Sequence, residues 1–73
     1  MYYDEIAKKL GIKLKYYRNL NNMTQENLAV LLNSDVRYIS DVERGKRNIT
    51  LKTICKLSKV LNVNIHSLFN FEE

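Results

Sequence analysis

Seven of the twelve basic residues of this 73-residue sequence lie between positions 37 and 59. Between positions 37 and 59 the basic residues are Arg37, Arg44, Lys46, Arg47, Lys52, Lys56 and Lys59, and the acidic ones are Asp41 and Glu43. If several of these cations share one face, they form an electrostatic footprint suited to phosphate groups. A merely solvated basic surface would have the same composition. The charge pattern, with a net charge of +4, therefore favours an anionic partner without identifying it.

Residue types that support catalysis or metal binding are sparse. Cys55 is the single cysteine and matches no metal-ligand spacing, and His66 has no carboxylate or thiol at a ligand spacing. The paired carboxylates at 4–5 and 72–73 are terminal and expected to be solvated. We therefore expect no enzyme activity, no metal, no cofactor and no small-molecule ligand. Cys55 is expected to be a core or half-exposed residue rather than a redox sensor.

The composition indicates a small globular protein of a reducing compartment. With 45% hydrophobic and 27% charged residues, the chain is expected to fold as one domain spanning residues 1–73. A domain of this size buries only about 60% of its unfolded surface, so its stability is expected to be marginal. The lone cysteine and the lack of any apolar run near ~20 residues predict a cytoplasmic protein with no membrane association.

Apolar residues recur at helical spacing along nearly the whole sequence, which predicts an all-α fold of five helices. The predicted helices span 4–21, 25–32, 36–44, 51–61 and 65–70. The apolar stripe of the first helix consists of Ile6, Leu10, Leu14 and Tyr17, and that of the fourth consists of Leu51, Ile54, Leu57 and Leu61. Gly11 interrupts the first helix, where it either weakens the helix or marks a close packing contact.

Short polar residues and glycine mark the helix boundaries. The residues expected to cap helix starts are Thr24, Asp35 and Thr50, and those expected to end helices are the pairs at 21–22 and 33–34, Gly45 and Asn62. Positions 24–44 are thus predicted to form two short helices around a tight turn, the second with Ile39 and Val42 as a thin buried face. Such a helix-turn-helix places its second helix in the DNA major groove, although helical hairpins of this length also occur as plain packing units.

The residues of these two helices carry a more specific pattern. Segment 23–29 is Met-Thr-Gln-Glu-Asn-Leu-Ala, and segment 38–48 is Tyr-Ile-Ser-Asp-Val-Glu-Arg-Gly-Lys-Arg-Asn. Together with the residues at 10–18 and 51–63, these segments resemble the lambda-repressor and Cro type of helix-turn-helix protein, the XRE family. The resemblance covers nearly the whole chain past Ala7. It implies a five-helix lambda-repressor-like domain that binds a double-stranded DNA operator and regulates transcription.

Four positions depart from the family pattern, and at one of them Ile49 stands where a proline usually follows the basic loop. Asn33 stands where glycine is usual, Ser34 stands where an apolar residue is usual, and Asn27 stands where glutamate is the common third capping residue. Asparagine tolerates the left-handed backbone conformation that such a turn requires. Ser34 is expected to weaken contact with the core. These departures therefore put stability, rather than function, in doubt.

The family resemblance implies that the first turn of the third helix reaches base edges, a role that falls on Val36, Arg37, Ser40 and Asp41. Arg37 can donate two hydrogen bonds to guanine O6 and N7, Ser40 can bond to either base of a pair, and Val36 can contact a thymine methyl group. Asp41 is expected either to accept from cytosine N4 or to orient Arg37. A phosphate contact or a solvated side chain is the alternative for Arg37.

The resemblance also implies contacts that position the protein on the DNA backbone without distinguishing sequences. Thr24 and Gln25 begin the second helix, where amides and the helix dipole favour a phosphate. The residues expected to contact the backbone from the end of the third helix onward are Arg44, Lys46, Arg47 and Asn48. Tyr38 either bonds to a phosphate or covers the helix junction. Arg18 and Glu43 are implied to form a structural ion pair between the first and third helices.

The carboxy-terminal segment carries more apolar side chains than a small core needs. Ile65, Leu68, Phe69 and Phe71 are therefore expected to contribute to a homodimer surface. A two-fold dimer would bind half-sites one helical turn of DNA apart. The alternative is that Phe69 closes the core of a monomer and Phe71 belongs to a frayed tail.

Several biological roles remain compatible with the family. The compact size and the residues at 37–51 are similar to controller proteins of restriction-modification systems, while phage or plasmid repressors and antitoxins share the same scaffold. A protein-interaction module, in which the third helix binds a partner protein, is the alternative from another class. Salt dependence separates the two classes, because binding of DNA by several lysines and arginines weakens steeply with salt.

Overall fold

The computed structural model describes residues 2–72 as five α-helices joined by short connections. The helices are α1 (Tyr3–Leu20), α2 (Gln25–Leu31), α3 (Val36–Glu43), α4 (Leu51–Val60) and α5 (Ile65–Leu68). No β-strand occurs within residues 2–72. Met1 and Glu73, the second acid of the carboxy-terminal pair, lie outside the described residues. The predicted all-α fold of five helices is confirmed, and each predicted boundary lies within about two residues of the observed one.

Side-chain hydrogen bonds explain where α2 to α5 begin. Thr24, Asp35, Thr50 and Asn64 each accept a hydrogen bond from the backbone N–H three residues further on. At α2 the exchange is reciprocal, because the Thr24 N–H also donates to Asn27 Oδ1 at 3.0 Å. Asn27 thus completes the capping box that glutamate or glutamine usually completes. Each such cap contributes about 1 kcal/mol to helix stability.

The first four helices end in one repeated backbone motif. The residues with a positive φ angle are Asn22, Asn33, Asn62 and Gly45. In each case the next N–H donates to the carbonyl five residues earlier, at 2.9 to 3.1 Å: Met23 to Arg18, Ser34 to Ala29, Lys46 to Asp41 and Val63 to Ser58. This is the Schellman motif, and it satisfies carbonyls at the helix end that have no partner within the helix. Three connections therefore share one plan, in which a left-handed asparagine and one further residue precede the next N-cap.

The hydrophobic core takes one face from each helix. Its buried members are Leu10, Leu14, Leu28, Ala29, Leu32, Ile39, Val42, Ile54, Leu57, Leu61 and Leu68. Two expectations about α4 require correction. Leu51 is 72% exposed, because it occupies the first position of α4 at the edge of the core, and Cys55 is exposed on the outer face. None of the described helices is both long enough and apolar enough to span a membrane.

Gly11 permits close contact between α1 and α3. A Cβ atom at this position would lie 2.5 Å from the carbonyl oxygen of Glu43 and 2.6 Å from that of Val42. Both neighbours are backbone atoms, so they cannot move aside as the end of a flexible side chain can. Of the two interpretations offered by the sequence, close packing is the one that the structure contains. Gly11 therefore sets the distance at which α3 rests on α1.

Candidate nucleic-acid interface

A buried ion pair anchors the end of α3 to α1. Arg18 donates to Glu43 through Nε to Oε2 at 2.6 Å and through Nη2 to Oε1 at 3.1 Å. Arg18 Nη1 also donates to the carbonyl oxygen of Met23 at 2.7 Å, and Gln25 Nε2 donates to Glu43 Oε1 at 3.0 Å. Both charged residues are buried, and a bidentate pair has little freedom to rotate. The ion pair implied by the sequence is present, and it ties the start of α2 into the same unit.

α3 buries one face and exposes the other at its first turn. Ile39, Val42 and Glu43 face inward, whereas Val36 and Arg37 are exposed. The guanidinium of Arg37 has no hydrogen-bond or ion-pair partner within residues 2–72, so all its donors are available to a ligand. Ser40 is half-buried on the same helix. The turn at which base contact is expected is therefore accessible to a ligand, while the opposite face of α3 is buried.

Asp41 lies further along α3, and its carboxylate bonds to two other arginines rather than to Arg37. Arg44 Nη2 donates to Oδ1 at 2.9 Å, and Arg47 Nε donates to Oδ2 at 3.3 Å. The Arg44 hydrogen bond, aided by Arg47 and opposed by partial desolvation, holds the pKa of Asp41 below its ordinary value. The expected orientation of Arg37 by Asp41 is thus corrected, because residues three and six positions later occupy both carboxylate oxygens.

The basic side chains after α3 gather beside Tyr38. The Arg47 guanidinium carbon lies 5.2 Å from the centre of the Tyr38 ring, within range of a cation–π contact. Tyr38 is half-buried and packs against the core, so it covers the helix junction, one of its two expected roles. Lys46 and Asn48 are exposed. Because Arg44 and Arg47 bond to one carboxylate, the end of α3 and the basic loop present their cations together.

The start of α2 differs from expectation in one side chain. Thr24 is exposed and caps the helix. Gln25 is half-buried, and its side-chain amide donates to the buried Glu43 instead of extending towards solvent. The side-chain amide of Gln25 is therefore already bonded inside the protein. No signal in the sequence distinguishes these two orientations, because Glu43 is 18 residues away along the chain.

Comparison with known proteins adds to this geometry. The helix-turn-helix family model matches residues 14–68 of the chain. The chain belongs to the XRE-type helix-turn-helix family. As a member of this family it is a DNA-binding transcriptional regulator.

Relatives of this XRE-type regulator include control proteins. Control protein C.SmaI of Serratia marcescens is 41% identical over 64 residues, which cover 88% of this chain and 76% of that protein. Control protein C.BamHI of Bacillus amyloliquefaciens is 44% identical over 69 residues, covering 93% and 85%. The crystal structure of the restriction-modification controller protein C.AhdI of Aeromonas hydrophila matches with a TM-score of 0.81 and 38% identity, covering 86% and 96%.

The carboxy-terminal apolar residues of the XRE-type regulator have different surroundings. Leu68 is 0% exposed and belongs to the core, which corrects its expected place on a dimer surface. Ile65 and Phe69 are exposed. Phe71 is half-buried against the core, with its ring centre 6.0 Å from that of Phe69 and 6.0 Å from Lys9 Nζ. Leu68, rather than Phe69, thus closes the core, and Phe71 packs against it instead of fraying.

Proposed function

We propose that this XRE-type regulator binds a specific double-stranded DNA operator with the first turn of α3 in the major groove. The observation that carries the proposal is the exposure of Val36 and Arg37 at the capped start of a helix whose opposite face is buried. In that position Arg37 donates two hydrogen bonds to guanine O6 and N7, and Val36 contacts a thymine methyl group. Ser40, further along the same helix, bonds to an adjacent base.

Phosphate contacts flank this helix in the proposed complex. The residues that we assign to the DNA backbone are Thr24, Gln25, Arg44, Lys46, Arg47 and Asn48. Gln25 contributes through its backbone N–H, since its side-chain amide donates to Glu43. These contacts provide affinity and orientation, while the base contacts provide sequence preference.

We further propose that the regulator is a controller of a restriction-modification system that works in the cytoplasm without catalysis, metal or cofactor. Support comes from its identity of 41% and 44% to two control proteins over most of both chains, and from its fit to the C.AhdI structure. A repressor or antitoxin role on the same fold would also require duplex binding.

Selection of bound sites from a random pool of duplex DNA tests the proposal, followed by measurement of two variants. Arg37→Ala should relax the preference at one or two base pairs. Arg47→Ala should weaken binding to all sequences alike and reduce the slope of log K against log salt by about 1. Lys15→Ala, an equal loss of charge on the exposed side of α1, is the control. Identical behaviour of the Arg37 and Arg47 variants would contradict the assigned roles.

We propose a homodimer as the binding form, with Ile65 and Phe69 at the contact and Phe71 at its edge. Two exposed apolar side chains on the last helix and its end support this assignment. The dimer would place two α3 helices on half-sites about 34 Å apart along the DNA. In sedimentation equilibrium, Phe69→Lys should shift the protein to monomer without loss of helical circular dichroism. Asn70→Lys, the control, should leave the dimer intact. A wild-type protein that is monomeric at tens of micromolar would count against the dimer.

A further inference from the structure

We propose that Asp41 is a positioning residue that holds Arg44 and Arg47 as a preformed pair of phosphate-binding cations and contacts no base itself. The inference rests on the proposed DNA binding. In this role one carboxylate positions two cations that lie on different segments. Arg44 is at the end of α3, and Arg47 is in the loop that follows it.

The carboxylate has the geometry of a shared anchor. Each oxygen accepts from a different arginine, at 2.9 Å from Arg44 and 3.3 Å from Arg47. The Asp41 side chain is 16% exposed, while those of Arg44 and Arg47 are 56% and 46% exposed. The acid therefore lies beneath the two cations, and the cations form the outer surface.

The backbone of Asp41 reinforces the same arrangement. Its carbonyl accepts from the Lys46 N–H at 2.9 Å, the bond that folds the chain back after the left-handed Gly45. The Asp41 side chain thus bonds to Arg44 and Arg47, and its carbonyl bonds to Lys46. Side-chain and backbone hydrogen bonds together hold the basic loop against the end of α3.

The bonds to Asp41 leave donors for a ligand. Arg47 uses Nε towards Asp41, so both of its terminal nitrogens stay available, and the Tyr38 ring limits movement on one face of the guanidinium. Arg44 uses one terminal nitrogen and keeps its other donors. An arginine already restricted in this way loses less rotamer freedom when it binds a phosphate than a free side chain does.

Three possible roles of Asp41 predict different results for Asp41→Asn, which removes the charge and keeps the size. A repulsive carboxylate near DNA predicts tighter binding to every duplex and a steeper salt dependence, because the variant has one more unit of positive net charge. A base contact predicts a changed preference at one base pair. A positioning role predicts weaker binding to every duplex with unchanged base preference, despite the more favourable charge.

The test measures wild type, Asp41→Asn and Asp41→Ala on a duplex selected by the wild-type protein and on a scrambled duplex, over a range of salt. We expect both variants to bind both duplexes about 3- to 10-fold more weakly, an effect of the size that restricting two surface side chains can have. The loss should disappear in an Arg44→Ala/Arg47→Ala background. Tighter binding, altered base preference, or a loss that persists in that background would overturn the inference.

A second readout concerns the free protein and separates this inference from the proposed function. In wild type the Arg47 Nε–H should give a dispersed NMR signal, which collapses to the free-arginine position in Asp41→Asn and is partly restored in Asp41→Glu. A cooperative melt well above the temperature of the measurement, observed for each variant, controls for folding. An Arg47 Nε–H signal whose position is the same in wild type and Asp41→Asn would overturn the positioning role. Failure of wild type to bind any duplex selectively would instead overturn the proposed function.

Discussion

Ser34 stands one residue after the left-handed Asn33, where its N–H donates to the carbonyl of Ala29 at 2.9 Å. In a Schellman motif the side chain at this position usually makes an apolar contact with the preceding helix. The Ser34 hydroxyl is instead buried, and no residue in the described chain bonds to it. It lines a surface cavity of about 180 Å³ beside Leu32 and Tyr38. The backbone of the turn is therefore satisfied, while one side-chain atom is not.

Ser34→Ala should stabilise the protein. Removal of a buried hydroxyl that lacks a partner is expected to raise the free energy of unfolding by about 0.5 to 1 kcal/mol, and Ser34→Val should add apolar contact in the cavity. Urea denaturation followed by circular dichroism measures the change. Ser58→Ala is the matched control, because the Ser58 hydroxyl donates to the Cys55 carbonyl at 2.9 Å and its removal should give no gain. Equal effects of the two alanine variants would contradict the assigned cause.

Asp41 should titrate below its ordinary pKa of 3.8 in the folded protein. The Arg44 hydrogen bond is the largest cause and Arg47 also contributes, so Arg44→Ala and Arg47→Ala should each raise the pKa of Asp41. A folded pKa below the unfolded one means that the interaction stabilises the protein above about pH 4, and that this contribution is lost as the pH falls through the folded value. Carbon NMR of the carboxyl group measures the titration. A wild-type midpoint at or above 3.8 would contradict the pairing.

At the scale of the helices, the connections explain how so short a chain forms five elements. Asparagine or glycine in the left-handed conformation stops a helix, and a side-chain oxygen starts the next one within two residues in three of the four connections. The longer basic loop after Gly45 is the exception, and it carries residues assigned to DNA. Gly11 then lets α1 and α3 approach closely, so the position of the exposed turn of α3 depends on a residue in the middle of α1.

Gly11→Ala tests this approach. In an isolated helix the change would stabilise by about 1 kcal/mol, but here the new methyl group meets the backbone of α3. We expect a net loss of about 1 to 3 kcal/mol in the free energy of unfolding, together with weaker binding to the selected duplex, because α3 must shift. Asn19→Ala, on the exposed part of the same helix, should be neutral or slightly stabilising. A stabilised Gly11 variant would show that α1 and α3 can separate freely.

At the scale of the whole molecule, the Arg18–Glu43 pair connects the parts that the proposed interface uses. Arg18 bonds to the end of α3 and to the connection before α2, and Glu43 also accepts from Gln25 at the start of α2. Both helices of the helix-turn-helix are thereby oriented by one residue of α1. A buried pair of this kind pays a desolvation penalty, so we assign it to orientation more than to net stability.

A double-mutant cycle separates these contributions. Glu43→Ala leaves Arg18 buried without a charge partner and is expected to lower the free energy of unfolding by about 3 to 5 kcal/mol. The cycle is completed by Arg18→Met and by the double variant Arg18→Met/Glu43→Ala, which should be more stable than Glu43→Ala because no charge remains buried. Arg44→Ala, which breaks an exposed pair, should change stability by less than about 1 kcal/mol. A fully additive cycle in urea denaturation would argue that Arg18 and Glu43 act independently.

Features that depend on near neighbours can be predicted from the sequence alone. Helical periodicity, the caps at Thr24, Asp35 and Thr50, and the stop at Gly45 are all present, since their hydrogen bonds join residues three to five apart. The same near-neighbour pattern resembled the XRE family strongly enough to indicate the DNA-binding class. Asn64 follows the plan of the other caps, although no cap is predicted at that position.

The partner that a side chain finds far along the chain depends on how the helices pack. Gln25 turns to Glu43 rather than to a ligand, and Leu68 is buried while its neighbour Phe69 is exposed. Asp41 bonds to Arg47, beyond its helix, because the chain folds back after Gly45. In each case more than one orientation of the side chain satisfies the local geometry. The packing of helices that are remote in sequence selects one orientation, since the free-energy cost of an unpaired charge or an exposed apolar side chain depends on what surrounds it in the folded protein.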